Sequence, residues 1–413
     1  MTDERGVVRR IAWRELFPWL VIARALRLSI SPTVLLIATL GVFVSSIGWR
    51  IAPYIFFTEQ GRTSARIPSD AFWTGEIPAW HRSLESFVPS AVEKYLPAQP
   101  SGVLDSFFRL AEPVRRLFSY ELTVNQTAYY LFGFLWSLAV WAFVGGFITR
   151  RAVVQVALDD APGLVETAQF AARRWPWYFL APLYPLLGVL ILVLLHVPLG
   201  WIMLLDFGVL IAGFFWIFVL LMGVAAAWLL IGTLLGWPLM WGALSADREG
   251  DAFDAFSRSF SYVYGRPLYY LFYAIVAALL GALGYAAAQV FIDVVYEFGF
   301  WAVSWGAGGE RINEIRGLYD FASPERPVGH QLLAFWRSVA YTFLVGYAFA
   351  YFWNAAGIIY LLLRHDVDEK EMDEVYLPDE EPLSRPPTEA PATPAAASAD
   401  SAAAPPNALA AEE

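Results

Sequence analysis

Cysteine is absent from the 413 residues, and charge is sparse at 16% of the chain. Without a thiol there is no disulfide framework, no thiolate nucleophile and no cysteine-held metal. A soluble domain carries about 25% charged residues, so the shortage excludes an ordinary water-solvated surface. Histidine is scarce too. His81, His196, His330 and His365 are scattered, with no pair at metal-ligand spacing and no His-x-x-x-His. Gly306-Ala307-Gly308-Gly309 lacks the Lys-Ser/Thr of a phosphate loop. No nucleophile–base pair can be assembled, so no enzyme, no metal and no cofactor is expected. The net charge of −10 is concentrated in the tail. From Asp366 onward, 13 acidic residues face only Lys370 and Arg385, leaving the body near neutral. Nothing in that balance suits nucleic acid.

What is present is apolar length. Hydrophobic residues make up 58% of the chain and aromatics 17%, with a mean hydropathy of +0.50. A helix of about 20 apolar residues crosses the hydrocarbon core. Six such stretches are expected, near 32–55, 126–148, 176–196, 202–233, 267–296 and 334–363. The fold class that follows is all-α, a polytopic membrane protein of about six transmembrane helices. Many of the 18 Trp and 20 Tyr stand at the ends of these runs, where amphipathic rings sit at headgroup depth. The fourth run is long, and Gly232, Gly236 and Pro238 predict a kink or break near its end.

Arg positions set the sidedness. Connectors 149–175 and 244–266 carry Arg150, Arg151, Arg173, Arg174, Arg248, Arg258 and Arg266, whereas the turn from His196 to Trp201 has no Arg or Lys. Both termini are therefore expected in the cytoplasm, in a bacterial inner membrane. Three regions follow: an N-terminal segment 1–31, a membrane domain 32–363 and a tail 364–413. Segments 57–125 and 297–333 fall outside. Within the first, Val103, Phe107, Phe108, Leu110, Val114, Leu117 and Phe118 recur at helical spacing. They predict an amphipathic helix, either lying on the outer surface or belonging to a small external domain. The second reads as a loop with a short helix. Past Asp366, acidic and then Pro-, Ala- and Ser-rich sequence predicts a disordered tail.

A unit recurs before the odd-numbered spans. Arg24 to Pro32, Phe170 to Pro176 and Phe256 to Pro267 each combine arginines, aromatic or aliphatic residues and a proline. Proline suits a helix's first turn because its missing N–H has no partner there. Each unit predicts a short interfacial elbow helix, giving three elbow-plus-hairpin repeats. Arg24, Arg27, Arg173, Arg174, Arg258 and Arg266 are the candidate contacts to anionic lipid headgroups.

The segment Asp247-Arg248-Glu249-Gly250-Asp251-Ala252-Phe253-Asp254-Ala255-Phe256-Ser257-Arg258-Ser259-Phe260 resembles one that precedes a membrane helix in a bacterial group. That group comprises the membrane domain accompanying some glycerophosphodiester phosphodiesterases and related six-span proteins. The flanking Gly236-Trp237-Pro238-Leu239-Met240-Trp241 and Arg266-Pro267-Leu268-Tyr269-Tyr270 are similar to uncharacterised planctomycete membrane proteins. The likeness covers about 40 residues and implies a fold and a cytoplasmic elbow. It implies no phosphodiesterase activity, since no soluble stretch is long enough for the catalytic barrel.

Ionisable and polar groups at membrane depth cost on the order of 2.5–3.5 kcal/mol on insertion scales, so each needs an account. Asp206 is expected about one turn into the fourth span. Asp293 and Glu297 stand four apart at the outer end of the fifth, with Arg337 the expected counter-charge to one or the other. Gln289 and Asn354 fall deeper, suited to interhelical hydrogen bonds or to a polar pathway. Small residues Gly41 with Ser45, and Gly284 with Ala288, predict close helix packing. Two functional readings stand. One is a non-enzymatic membrane scaffold or lipid-associated protein, with membrane lipids as partners and a protein partner met through the tail or outer segment. The other is a transporter or channel for a small solute or ion, lined by Asp206, Gln289 and Asn354.

Overall fold

The computed structural model describes residues 17–58, 102–119, 122–247, 250–319 and 328–376. The arginines at 5–14, His81, Arg248, most of segment 57–125 and the tail from 377 lie outside them. Contacts divide the chain into Met1–Val375 and Tyr376–Glu413; the first unit holds every element below.

After a 3-10 turn at Pro18–Ala23 come α1 (Arg24–Ser29), α2 (Pro32–Phe56), α3 (Gly102–Leu117) and α4 (Val124–Leu158). Next are α5 (Leu164–Leu180), α6 (Leu183–Ile202), α7 (Gly208–Phe214) and α8 (Trp216–Ala246). The chain closes with α9 (Ala252–Gly265), α10 (Pro267–Ala307), α11 (Gly309–Tyr319) and α12 (Val328–Asp368). Six segments are long and apolar enough to cross a membrane: α2, α4, the α5–α6 pair, α8, α10 and α12. The protein is an all-α polytopic bundle, as an apolar solvent requires, since helices satisfy their own backbone polar groups.

The centre of the bundle is α12, whose most apolar window is 89% buried, against 11% for α8 and 17% for α10. It packs on α2, α4, α8 and α10, and the two halves of each expected hairpin touch. Helices α2 and α4 exchange indoles. Trp49 fills the space over Gly133 and Trp136 that over Gly48, where a Cβ would stand 2.2 and 2.1 Å from the rings. Each indole also donates a hydrogen bond across the seam, Trp49 to Ser137 Oγ at 2.9 Å and Trp136 to the Val44 carbonyl at 3.1 Å. The expected contacts at Gly41 and Gly284 are present: Val144 packs over the first, Tyr347 and Leu26 over the second.

Several expectations need correction. The fourth span does not break at Gly232, Gly236 and Pro238; the chain turns at its other end, in a corner at 203–207 followed by α7. Gly232 takes the Phe260 ring of α9; its missing side chain serves packing. At the corner, a Cβ on Gly208 would lie 1.6 Å from the Ile202 carbonyl oxygen, so glycine is what permits the fold-back. The second elbow-to-span junction also moves. Helix α5 runs through Pro176, and the break falls at Ala181–Pro182, with Pro182 capping α6.

Helix α3 does not lie on the surface of the bundle. It packs against α4, α10 and α12, with the Phe107 ring stacked on Trp237 of α8 at 5.8 Å. Its apolar face meets protein because the bundle leaves room there, which a periodic pattern cannot reveal. At the far end, α12 continues to Asp368 and the chain stays folded to Val375, beyond the expected onset of disorder. The Arg364 side chain there binds the carbonyls of Glu371 (3.3 Å) and Glu374, and His365 contacts that of Lys370 (3.0 Å).

Candidate functional site

Helix α8 ends without a following turn of helix, so its last carbonyls lack intrahelical donors and carry the negative end of the dipole. Four arginines from four other helices meet that end. Arg150 of α4 donates to the Ser245 carbonyl at 2.6 Å. Arg174 of α5 donates to the carbonyls of Leu244 and Asp247, each at 2.8 Å. The Asp247 carboxylate takes Arg258 of α9 through Oδ2 at 2.9 Å and Arg364 of α12 through Oδ1 at 3.4 Å. Tyr360 adds a hydroxyl donor to Oδ2 at 2.9 Å.

Burial gives this end its stiffness. Arg364 is 1% exposed and Arg150 2%, so neither could hold its charge without these acceptors. Phe170 sits between two guanidiniums, 4.1 Å from Arg150 and 4.8 Å from Arg174, a cation–π arrangement that presents flat faces to both. Tyr178 bonds the Ser245 hydroxyl at 2.8 Å. On α9, burial works against the Arg258 cation, but the carboxylates of Asp247 and Asp254 outweigh it and raise its affinity for the proton. Burial, and then the bond to Asp368 at 2.5 Å, raise the Tyr262 phenol above its ordinary range. Together these groups clamp the fold.

The other six-helix end carries a smaller cluster. Glu112 of α3 is 2% exposed and takes Arg115 at 2.5 Å and Arg116 at 2.7 Å. Burial alone would raise its carboxyl; the two arginine hydrogen bonds outweigh that and lower it.

The candidate headgroup arginines divide into two sets. Arg24 bonds Asp159 at 2.7 Å and the Val156 carbonyl at 3.4 Å; Arg174 and Arg258 belong to the clamp. For these three the partners are protein groups. Arg27, Arg173 and Arg266 remain exposed, the last with its guanidinium 5.7 Å from the Tyr269 ring.

Among the intramembrane candidates, Asp206 is exposed in the α6–α7 corner, outside the span in which it was expected. The apolar run around it is unbroken, so hydropathy placed it in a helix. Gln289 is 9% exposed on α10. Asn354 donates to Ser29 Oγ at 3.0 Å, joining α12 to α1. These three do not form one cluster. Asp293 accepts Tyr341 at 2.9 Å, and the Arg337 guanidinium lies 5.5 Å over that same tyrosine ring, so α10 and α12 bring the three together. Glu297 pairs with Arg316 of α11.

Sequence reasoning passed over Asp247, Tyr360, Arg364 and Glu112 as site residues. The signal for Asp247 was available: it is the first carboxylate after a long apolar run, at the start of a connector that also carries Arg248, Arg258 and Arg266. Among the described residues, no three His, Asp or Glu side chains are grouped to hold a metal. No protein-family model matches the chain, and neither a curated protein nor a solved structure does.

Proposed function

We propose that this chain is a non-enzymatic scaffold of the bacterial inner membrane that holds anionic lipid around its arginine-bearing end, with both termini in the cytoplasm. The observation that carries this reading is the division among the arginines. Arg150, Arg174, Arg258 and Arg364 lock five helices to one another, while Arg27, Arg173 and Arg266 stay exposed beside lipid-facing apolar surface. Exposed arginines at that depth attract anionic headgroups by about 1 kcal/mol each. The separation of Asp206, Gln289 and Asn354 supports a scaffold over a solute pathway through them.

The test is lipid enrichment around the full chain reconstituted in vesicles of phosphatidylglycerol and phosphatidylcholine. Replacing Arg27, Arg173 and Arg266 together by Gln should abolish most of the preference for phosphatidylglycerol. Unchanged enrichment in that triple variant would overturn the reading. A reporter joined to the C-terminus should be active in the cytoplasm; activity on the other side would reverse the assigned orientation.

A further inference from the structure

We infer that a discrete anionic-phospholipid site lies between the α1–α2 junction and α4, with Arg27 and Arg151 holding the phosphate; this rests on the lipid-associated reading above. A cavity of about 630 Å3 opens there, lined by Leu26, Arg27, Ile30, Ser31, Arg151 and Gln155 among others. That volume is in the range of small-molecule sites, roughly 300–1,000 Å3.

The polar groups of the cavity are left over by the fold. Arg151 is oriented from behind, Nη1 donating to the Pro162 carbonyl at 2.8 Å, while its buried Nε has no hydrogen-bond partner. Arg27 is exposed and forms no hydrogen bond or ion pair with a described residue. The Ser31 hydroxyl, at the N-cap of α2, makes no capping bond, so it too is available as a donor. Two guanidiniums, a hydroxyl and the Gln155 amide around one cavity suit a phosphate diester, because guanidinium N–H groups match phosphate oxygens in pairs.

The neighbouring surface selects a lipid over a free anion. From Pro32, next to Ser31, an exposed stripe climbs α2 through Leu36, Leu40, Phe43 and Ile47. Steps of four and three residues keep these on one helix face, and it is the face turned away from α4 and α12. Ile30, 64% exposed, stands at the mouth of the cavity. A headgroup seated on Arg27 and Arg151 thus has apolar surface directly above it for its acyl chains, whereas inorganic phosphate gains nothing from that stripe. Basic pockets between membrane helices recognise anionic headgroups in this manner.

The experiment is native mass spectrometry of the full chain released from vesicles of equal phosphatidylglycerol and phosphatidylcholine. The wild-type chain should retain one phosphatidylglycerol through stepwise delipidation. R27Q/R151Q should retain it at least about tenfold less, and R27Q alone about fivefold less, from the loss of roughly one arginine contact each. R27Q changes only an exposed side chain and so keeps the test valid if the double variant misfolds. R27K/R151K should recover part of the retention. R173Q/R266Q should keep the held lipid while losing bulk enrichment. Retention undiminished in R27Q and R27Q/R151Q overturns the site and leaves the broader reading standing if R173Q/R266Q still loses enrichment. Absence of any anionic preference in the wild-type chain removes both. Displacement of the held lipid by millimolar inorganic phosphate would make this a free-anion site and overturn the assignment to lipid.

Discussion

Asp247 Oδ1 lies 3.4 Å from Arg364 Nη1, although 117 positions separate the two residues in the chain. The contact joins the end of α8 to the central helix, and Arg364 is 1% exposed. Removing one member of such a pair strands the other charge in a poorly solvated place. Asp247→Ala should therefore destabilise the bundle by about 3 kcal/mol, read as a lower melting temperature in detergent. The double variant D247A/R364M should lose less than the sum of the two single losses. Strict additivity would show that the two groups do not act as a pair.

The indole exchange between α2 and α4 predicts an effect from a very small change. Gly48→Ala places a methyl 2.1 Å from the Trp136 ring, and a seam this closely packed cannot yield without shifting an indole. A loss of about 1–3 kcal/mol is expected. Pairing it with Trp136→Leu should recover stability relative to Gly48→Ala alone.

At the α1–α12 contact, Asn354 donates to Ser29 Oγ at 3.0 Å with both side chains buried. Hydrogen bonds between membrane helices average about 0.6 kcal/mol and reach about 1.7. Ser29→Ala should cost on the order of 1 kcal/mol, and adding Asn354→Leu should then cost little more. A double-mutant cycle giving no coupling would remove the contact from the account.

Glu112 supplies a pH dependence. Its carboxyl titrates below the ordinary glutamate range because the bonds from Arg115 and Arg116 outweigh its burial. The unfolded group titrates near 4.3, so the pair contributes fully above that pH, and the contribution fades as pH falls through the lower folded value. Glu112→Gln should lower the melting temperature at pH 7 and make it less sensitive to acid below about pH 4. A variant with the same acid limb as the parent would contradict this origin.

How much was legible from residues alone varies from element to element. The start of α2 at Pro32 and of α10 at Pro267 could be read directly, because proline acts on its own backbone. The Gly41 and Gly284 contacts were legible as small residues, though not their partners. The corner at Gly208 was hidden: the sequence around it stays apolar, and only the chain's return on itself distinguishes a turn from a helix. Helix α3 had a readable apolar face and an unreadable neighbour, since periodicity reports that a face is covered and not by what.

By itself, then, the sequence determined the solvent of this protein and its half-dozen crossings, because apolar length and backbone hydrogen bonding are local properties of a segment. Tertiary structure alone decided the fate of the arginines. Guanidiniums of identical chemistry became helix clamps at 150, 174, 258 and 364, where carbonyls or the Asp247 carboxylate came within reach. They stayed exposed at 27, 173 and 266, where no such acceptor arrived among the described residues. The reason is geometric: an acceptor a hundred residues away leaves no mark on the composition around its donor.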